Sequence, residues 1–169
     1  TVVYNQQNLG YEKSLNIGFQ TAARLGARAV LTMDADGEHD PVHVDQFKHL
    51  LIEKGIPLVL GVRDSRPRIA ETIMGRYIKS RFGIDDIFCG MKGYQMDLWH
   101  QYGCFDKRQS VGTELTLGAV RGGIDFKQIN ITGTPRVDQS RFGTYFSANL
   151  RITKAIGRAL SCDKIVINQ

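Results

Sequence analysis

The stretch LTMDADGEHDP, Leu31 to Pro41, sets Asp34, Asp36, Glu38 and Asp40 on alternate positions with no Lys or Arg among them. Side chains two apart on an extended segment point the same way. Asp34 and Asp36 therefore converge, and two convergent carboxylates without an internal cation call for a bound one. Magnesium or manganese suits such a site. These ions take hard oxygen ligands, commonly one or two carboxylates, with water and substrate phosphates completing the shell. A calcium EF-hand loop fits poorly, because Gly37 comes too early and the terminal glutamate is missing. The plainer alternative is an acidic strand-to-helix turn in which Asp40 caps a helix starting at Pro41 and Glu38 is simply solvated.

These residues need a frame to hold them. TVVY opens the chain as a β-branched run and reads as a strand, with NLG as a turn after it. From about Tyr11 to Leu25, Leu15, Phe19, Ala22 and Ala23 recur at helical spacing, and Gly26 is placed to stop the helix. ARAVLTM and PLVLGV are apolar runs without alternation, the pattern of strands covered on both faces. Between them, Val44, Phe47, Leu50 and Leu51 define one face of a helix. IAETIMGRYIKSRFG predicts a helix ending at Gly83, and CGMKGYQM a strand or turn near the sheet. GTELTLGAVRGG predicts a helix closed by glycines, IDFKQINIT a strand, and TPRVDQSRFG a polar loop. Strands alternating with helices predict an α/β domain built on a mostly parallel sheet. Ligands bind such sheets outside the carboxyl ends of the strands, where AVLTMDAD puts Asp34 and Asp36.

From about Thr144 to Leu160 the spacing predicts an amphipathic helix. Arg151, Lys154 and Arg158 share one side, and Phe146, Leu150, Ile152, Ile156 and Leu160 supply apolar surface. Two readings stay open: a helix lying on a membrane surface, or one packed on the core with a solvated basic face.

The 169 residues suffice for one domain with a hydrophobic core. A net charge of +5 and a pI near 9.2 favour anionic partners. No zinc-finger spacing, RNA-binding aromatic motif or long basic block is present, so nucleic acid is not an expected partner. No apolar run approaches the roughly 20 residues that span a bilayer. Cys89, Cys104 and Cys162 are odd in number and form no CxxC pair, which points to reduced thiols of a cytosolic protein.

Several segments together resemble one family. MDADGEHDP resembles the DxD segment of family 2 glycosyltransferases with a GT-A fold, in particular the branch of dolichol-phosphate mannose synthase and bacterial polyprenyl-phosphate sugar transferases. NLGYEKSLNIGFQTAARLGA is similar to that branch's N-x-G…A-x-N-x-G…A-x-x-x-G segment, and LVLGVR to its G-[ST]-R strand end. DIFCGMKGY is similar to D-x-x-C-G-F-R-x-[YF], and TGTPRVDQSRFG to the loop before the C-terminal helix. The resemblance covers about Asn8 to Gly143. The family's first strands, with the P-x-[YF]-N-E and D-D-x-S-like segments that bind base and ribose, have no counterpart in it. The expectation is an N-terminally incomplete GT-A-like domain over residues 1–143, with a helix and tail at 144–169 belonging to the same domain. The missing strands could belong to a longer polypeptide, to another chain, or to neither in a shortened homologue. Exposed sheet edges would favour homo-oligomers.

The resemblance implies an inverting transfer of a sugar from a nucleotide-diphosphate donor to a polyprenyl phosphate at the cytoplasmic face of a membrane. Mg2+ or Mn2+ would sit on Asp34 and Asp36, which with Arg63 bind the donor. Asp86 and Glu114 would act at the sugar as base or hydroxyl-binding groups; for Asp86 the alternative is a turn or cap residue, a job that Asp85 beside it could share. For Glu114 a favourable acid in a helix's first turn is the alternative. Arg76, Lys92, Arg136 and Arg141 are candidates for the acceptor phosphate, each alternatively a solvated cation, with Lys92 where the family has Arg. Gly90 and Gly93 could admit a ligand close to the backbone or merely shape a turn. Cys89 reads as packed rather than reactive, and His39 as a donor-phosphate contact or an ordinary loop residue. Other functions kept open are transfer to a saccharide hydroxyl in surface-polysaccharide synthesis and a non-catalytic binding subunit.

Overall fold

The computed structural model describes residues 2–37, 39–64, 69–132, 145–161 and 165. Helix α1 (Tyr11–Arg24) leads to strand β1 (Ala29–Thr32). A helical stretch follows as a tight turn at Pro41–His43, helix α2 (Val44–Lys48) and a wider π-type turn at His49–Glu53. Then come β2 (Leu58–Arg63), α3 (Ile69–Phe82), β3 (Lys92–Gln95), α4 (Met96–Tyr102), α5 (Glu114–Arg121), β4 (Phe126–Ile131) and α6 (Tyr145–Leu160).

The strand order is β1-β3-β2-β4. β3 pairs antiparallel with both β1 and β2, and β2 pairs parallel with β4. Three strands therefore run one way, as expected, and β3 is inserted against them, making the sheet mixed. This inversion matters for the site. The segment entering β3 arrives at the same sheet end as the segments leaving β1 and β2.

The local signals act where the spacing puts them. Gly26 and Gly83, at φ 70° and 73°, stop α1 and α3 in the left-handed region. The Asp40 carboxylate accepts from the Val42 amide at 2.9 Å, capping the turn that Pro41 opens. One sequence expectation needs correction, and one helix was not foreseen. TVVY is not a strand among the described residues: Val2, Val3 and Tyr4 are exposed and unpaired in any sheet. β-branched residues favour extended chain, but a strand also needs a partner edge. The helix α4 falls in MDLWHQY, too short a stretch for its period to show.

Both sheet faces are covered. Leu58 and Leu60 of β2 join Phe19, Ile78, Tyr94, Phe105, Leu115 and Leu117 on one side. Val59 joins Phe47, Leu51, Met91 and Ile131 on the other. Phe19 stacks on Phe105 at 5.0 Å and meets Tyr94 edge-on at 5.6 Å. Gly93 serves this core rather than a ligand: a Cβ there would stand 2.6 Å from a Leu51 methyl and 3.0 Å from the Phe47 ring.

α6 packs against α3 and α5, with Ala155, Ile156 and Ala159 buried and Lys154 and Arg158 exposed. Beyond it, Ile165 is buried and its amide donates to the Gly118 carbonyl at 3.0 Å. Gly122, one turn on, leaves room for the Ile165 backbone; a Cβ there would collide with the Ile165 carbonyl oxygen. Gly122→Ala is expected to lower stability by about 1–3 kcal/mol, the usual penalty of forced overpacking, read from urea denaturation. Among the described residues no helix is long and apolar enough to cross a membrane.

Candidate functional site

Asp34 leaves the carboxyl end of β1 and is held from two directions. Its carboxylate lies over the bare Cα of Gly90, where a side chain would overlap it. Its amide donates to His39 Nδ1 at 3.1 Å. The Asp34 side chain nevertheless keeps 32% of its surface exposed, and Asp36 is half-buried. Thr32, the last residue of β1, donates its hydroxyl to the Gly90 carbonyl at 2.7 Å, fixing the turn under Asp34. Hard carboxylate oxygens at a strand's carboxyl end, with a hollow built for one of them, fit Mg2+ or Mn2+. Among the described residues no group of three or more His, Cys, Asp and Glu side chains gathers as a metal cage. Asp34 with one further carboxylate would leave positions open for phosphate and water.

Arg63 ends β2 at the same side of the sheet. Its guanidinium does not stand open to a diphosphate. Nε donates to one Asp86 oxygen at 2.7 Å and Nη2 to the other at 3.0 Å, while Nη2 also reaches Glu71 at 3.2 Å. The Arg63 amide completes the fork onto Asp86 at 3.3 Å. Asp86 and Glu71 are buried. Burial opposes the Arg63 charge, and the bond to Asp86 with help from Glu71 more than offsets it, holding the guanidinium above its ordinary pKa. Glu71 was not singled out from sequence, since only folding carries the first turn of α3 to the end of β2. Asp85 turns the other way, to Lys79 at 2.7 Å and Gln128.

Lys92 is 3% exposed, so it is not a surface ligand for phosphate. Its ammonium donates to the Gly112 carbonyl at 2.9 Å, tying the sheet floor to the loop before α5. Burial pulls its pKa down to about 8, against the pull of Asp86 and Asp34. Below pH 8 the group is charged in folded and unfolded chains alike, and the burial penalty is present in full. Between about 8 and its ordinary 10.5 the unfolded chain holds the extra proton, so stability rises with pH. The rise is about 3 kcal/mol at 1.36 kcal/mol per unit. Lys92→Met is expected to abolish it, as checked by urea denaturation at pH 7 and 9.5, a span that holds about 2 kcal/mol of the rise.

Glu114 is buried rather than presented to a ligand. One oxygen accepts from the amides of Lys107 and Arg108 at 2.7 and 2.8 Å, and the other from the Tyr102 hydroxyl at 3.0 Å. Asp106 staples the same loop, accepting from the amides of Arg108, Ser110 and Gly112 and from the Ser110 hydroxyl. Asn16 of α1 clamps the loop's start, accepting from the Phe105 amide at 2.8 Å and donating to the Asp106 carbonyl. The loop holds Gln109 and Val111 at φ 56° and 55°, a left-handed backbone that a β-branched residue rarely adopts. An Asn inside a helix was the one sequence signal for this clamp. Tyr11, at the head of α1, brings its ring beside Gly112.

The structure thus brings Asp34, Gly90, Arg63, Asp86 and Lys92 to one end of the sheet. Arg76 is not among them. It is exposed on α3, about 140° around the helix from Glu71 at 100° per residue. Glu38, Arg136, Arg141 and Cys162 lie outside the described residues.

The fold is that of the GT-A glycosyltransferases. Similar solved structures are those of glucosyl-3-phosphoglycerate synthase from Mycobacterium tuberculosis. Its complex with Mn2+, UDP-glucose and phosphoglyceric acid matches at a TM-score of 0.62 and 17% identity, over 95% of this chain and 58% of that one. Its complex with Mn2+ and UDP-glucose matches at a TM-score of 0.61 and 17% identity, over 86% and 54%. This chain therefore spans little more than half the length of those neighbours. No family model and no curated protein matches it.

Proposed function

We propose that this chain acts in transferring a sugar from a nucleotide-diphosphate donor to a polyprenyl phosphate at the cytoplasmic face of a membrane. Asp34 and Asp36 would hold Mg2+ or Mn2+. The observation that carries the reading is the Asp34 carboxylate at the carboxyl end of β1, seated over Gly90 on a GT-A fold. The Mn2+ and UDP-glucose bound by the solved neighbour support the same cofactor and donor class. When bound, the ion neutralises charge on the departing nucleotide diphosphate. Lys92 ties this end of the sheet to the stapled loop after Phe105, and the Arg63–Asp86–Glu71 cluster lies at the same end.

The bonding of the carboxylates supports one acceptor class. Both oxygens of Asp86 bond to Arg63, and those of Glu114 to the Lys107 and Arg108 amides and Tyr102. Taking a proton from a sugar hydroxyl would discharge a carboxylate that these charge-assisted bonds hold in place. A phosphate oxygen is already anionic and needs no base. This favours a phosphate acceptor, as in the dolichol-phosphate mannose synthase branch, over a saccharide. A soluble phosphorylated acid is the second reading. The neighbour binds phosphoglyceric acid, and burial of Ala155, Ile156 and Ala159 leaves those residues of α6 no lipid contact.

Titration calorimetry with Mn2+ and a panel of nucleotide sugars tests the reading, followed by transfer assays offering polyprenyl phosphate, phosphoglycerate and an oligosaccharide. Mn2+-dependent donor binding and transfer to polyprenyl phosphate are expected. Transfer to phosphoglycerate alone would select the second reading. Donor binding without turnover would leave a binding subunit, and no donor binding with or without metal would sink the glycosyltransferase reading.

A further inference from the structure

His39 is 3% exposed, although it sits in a polar turn between a strand and a helix. Its two ring nitrogens have different partners. Nδ1 faces the Asp34 amide at 3.1 Å, and Nε2 faces the Cys89 sulfur at 3.8 Å. An amide N–H only donates, so Nδ1 carries the lone pair and Nε2 the proton. The Nε2–H therefore points at sulfur. That sulfur also accepts from the Met91 amide at 3.4 Å and donates to the Met91 carbonyl at 3.8 Å. Burial, with Asp86 adding to it, pushes the Cys89 thiol up to about 12, so it stays neutral beside the imidazole. The Met91 carbonyl is itself anchored in the sheet, accepting from the Gly61 amide at 2.9 Å.

The three-residue corner Cys89–Met91 thus grips Asp34 twice. Gly90 receives the carboxylate directly, and Cys89 acts on the amide through the ring of His39. His39 Nδ1 also lies 4.0 Å from the Asp34 carboxylate, too far for a hydrogen bond. The contact that matters is to the backbone. An amide fixed in this way sets the direction of the Cα–Cβ bond and so the direction of the carboxylate.

We propose that His39 is a positioning residue: as the Nε2–H tautomer it bridges the Asp34 amide to the Cys89 sulfur and fixes how Asp34 presents to a divalent ion. The metal part of this inference rests on the function proposed above; the bridge itself does not. Residues behind metal ligands typically alter affinity about 10–100-fold when changed.

Two isosteres separate the contact with the Asp34 amide from mere bulk. Asn places its oxygen where Nδ1 lies and can still accept from the Asp34 amide. Gln places its amide at the Nε2 position and cannot. His39→Asn is expected to keep the chain's Mn2+ affinity nearly intact in titration calorimetry, and His39→Gln to weaken it about tenfold or more, with the two variants melting alike. Long-range 15N–1H spectra of the unsubstituted chain should show a protonated Nε2 and a bare Nδ1. A protonated Nδ1 would overturn the proposal, as would equal loss of Mn2+ affinity in both variants in step with their melting temperatures. If the unsubstituted chain binds no Mn2+, the metal role of His39 falls with the proposed function, and the tautomer spectrum still decides the bridge.

Discussion

Asp86→Ala is expected to lower the folding free energy by about 3–5 kcal/mol, the usual cost of stranding a buried charge. Small domains have only about 5–15 kcal/mol in total, so this one change should bring the chain near unfolding at room temperature. The reason is the geometry at the end of β2. Asp86 accepts from Arg63 through Nε, Nη2 and the amide, and both Asp86 and Glu71 are buried. Removing it leaves the guanidinium with Glu71 at 3.2 Å and without its bidentate partner. Asp86→Leu combined with Arg63→Met should be far less damaging than the sum of the single changes, because both charges leave together. Urea denaturation of the four-member cycle measures this. Additive losses would show that Asp86 and Arg63 are not the coupled pair their geometry describes.

The second large effect separates binding from folding. Asp34→Ala and Asp36→Ala are each expected to abolish measurable Mn2+-dependent donor binding in titration calorimetry while leaving the melting temperature nearly unchanged. Asp34 keeps a third of its side-chain surface exposed, with 32% accessible, and neither carboxylate belongs to the buried core. Gly90→Ala should mimic the loss while leaving both carboxylates in place. Its new methyl group would occupy the hollow where the Asp34 carboxylate lies, and a weakening of about 10–100-fold is expected for a displaced ligand. Unchanged Mn2+ binding by Gly90→Ala would mean that the hollow has no role in orienting Asp34.

Much of the frame was legible in the sequence because local chemistry dictates it. The helical spacing of Phe19 and its neighbours, the stops at Gly26 and Gly83 and the Asp40 cap are each set by residues within a turn or two. The strand ends carrying Asp34 and Arg63 were legible for the same reason. Partners across the fold were not. Nothing local in LVLGVR says that Arg63 meets Asp86, 23 positions on, or that a glutamate on α3 joins them. The reversal of β3 was also hidden, since KGYQ is short and direction leaves no mark on composition. Burial misled in two places. Lys92 and Glu114 carry charge and read as ligands, yet each serves a main-chain partner from inside the domain. TVVY reads as a strand by residue type, but pairing is a tertiary fact.

The inverted β3 has a consequence for how the protein can vary. From Asp86 through Lys92, seven residues make three separate attachments: Asp86 to Arg63, Gly90 beneath Asp34, and Lys92 to the Gly112 carbonyl. Because the pleat alternates with a period of two, deleting or inserting one residue here would turn Lys92 to the opposite face and shift Gly90 off its station. This span is therefore fixed in length as well as in composition. Changes in chain length should be far better tolerated at the exposed turn of Lys54 and Gly55, where no such attachments are counted off along the backbone.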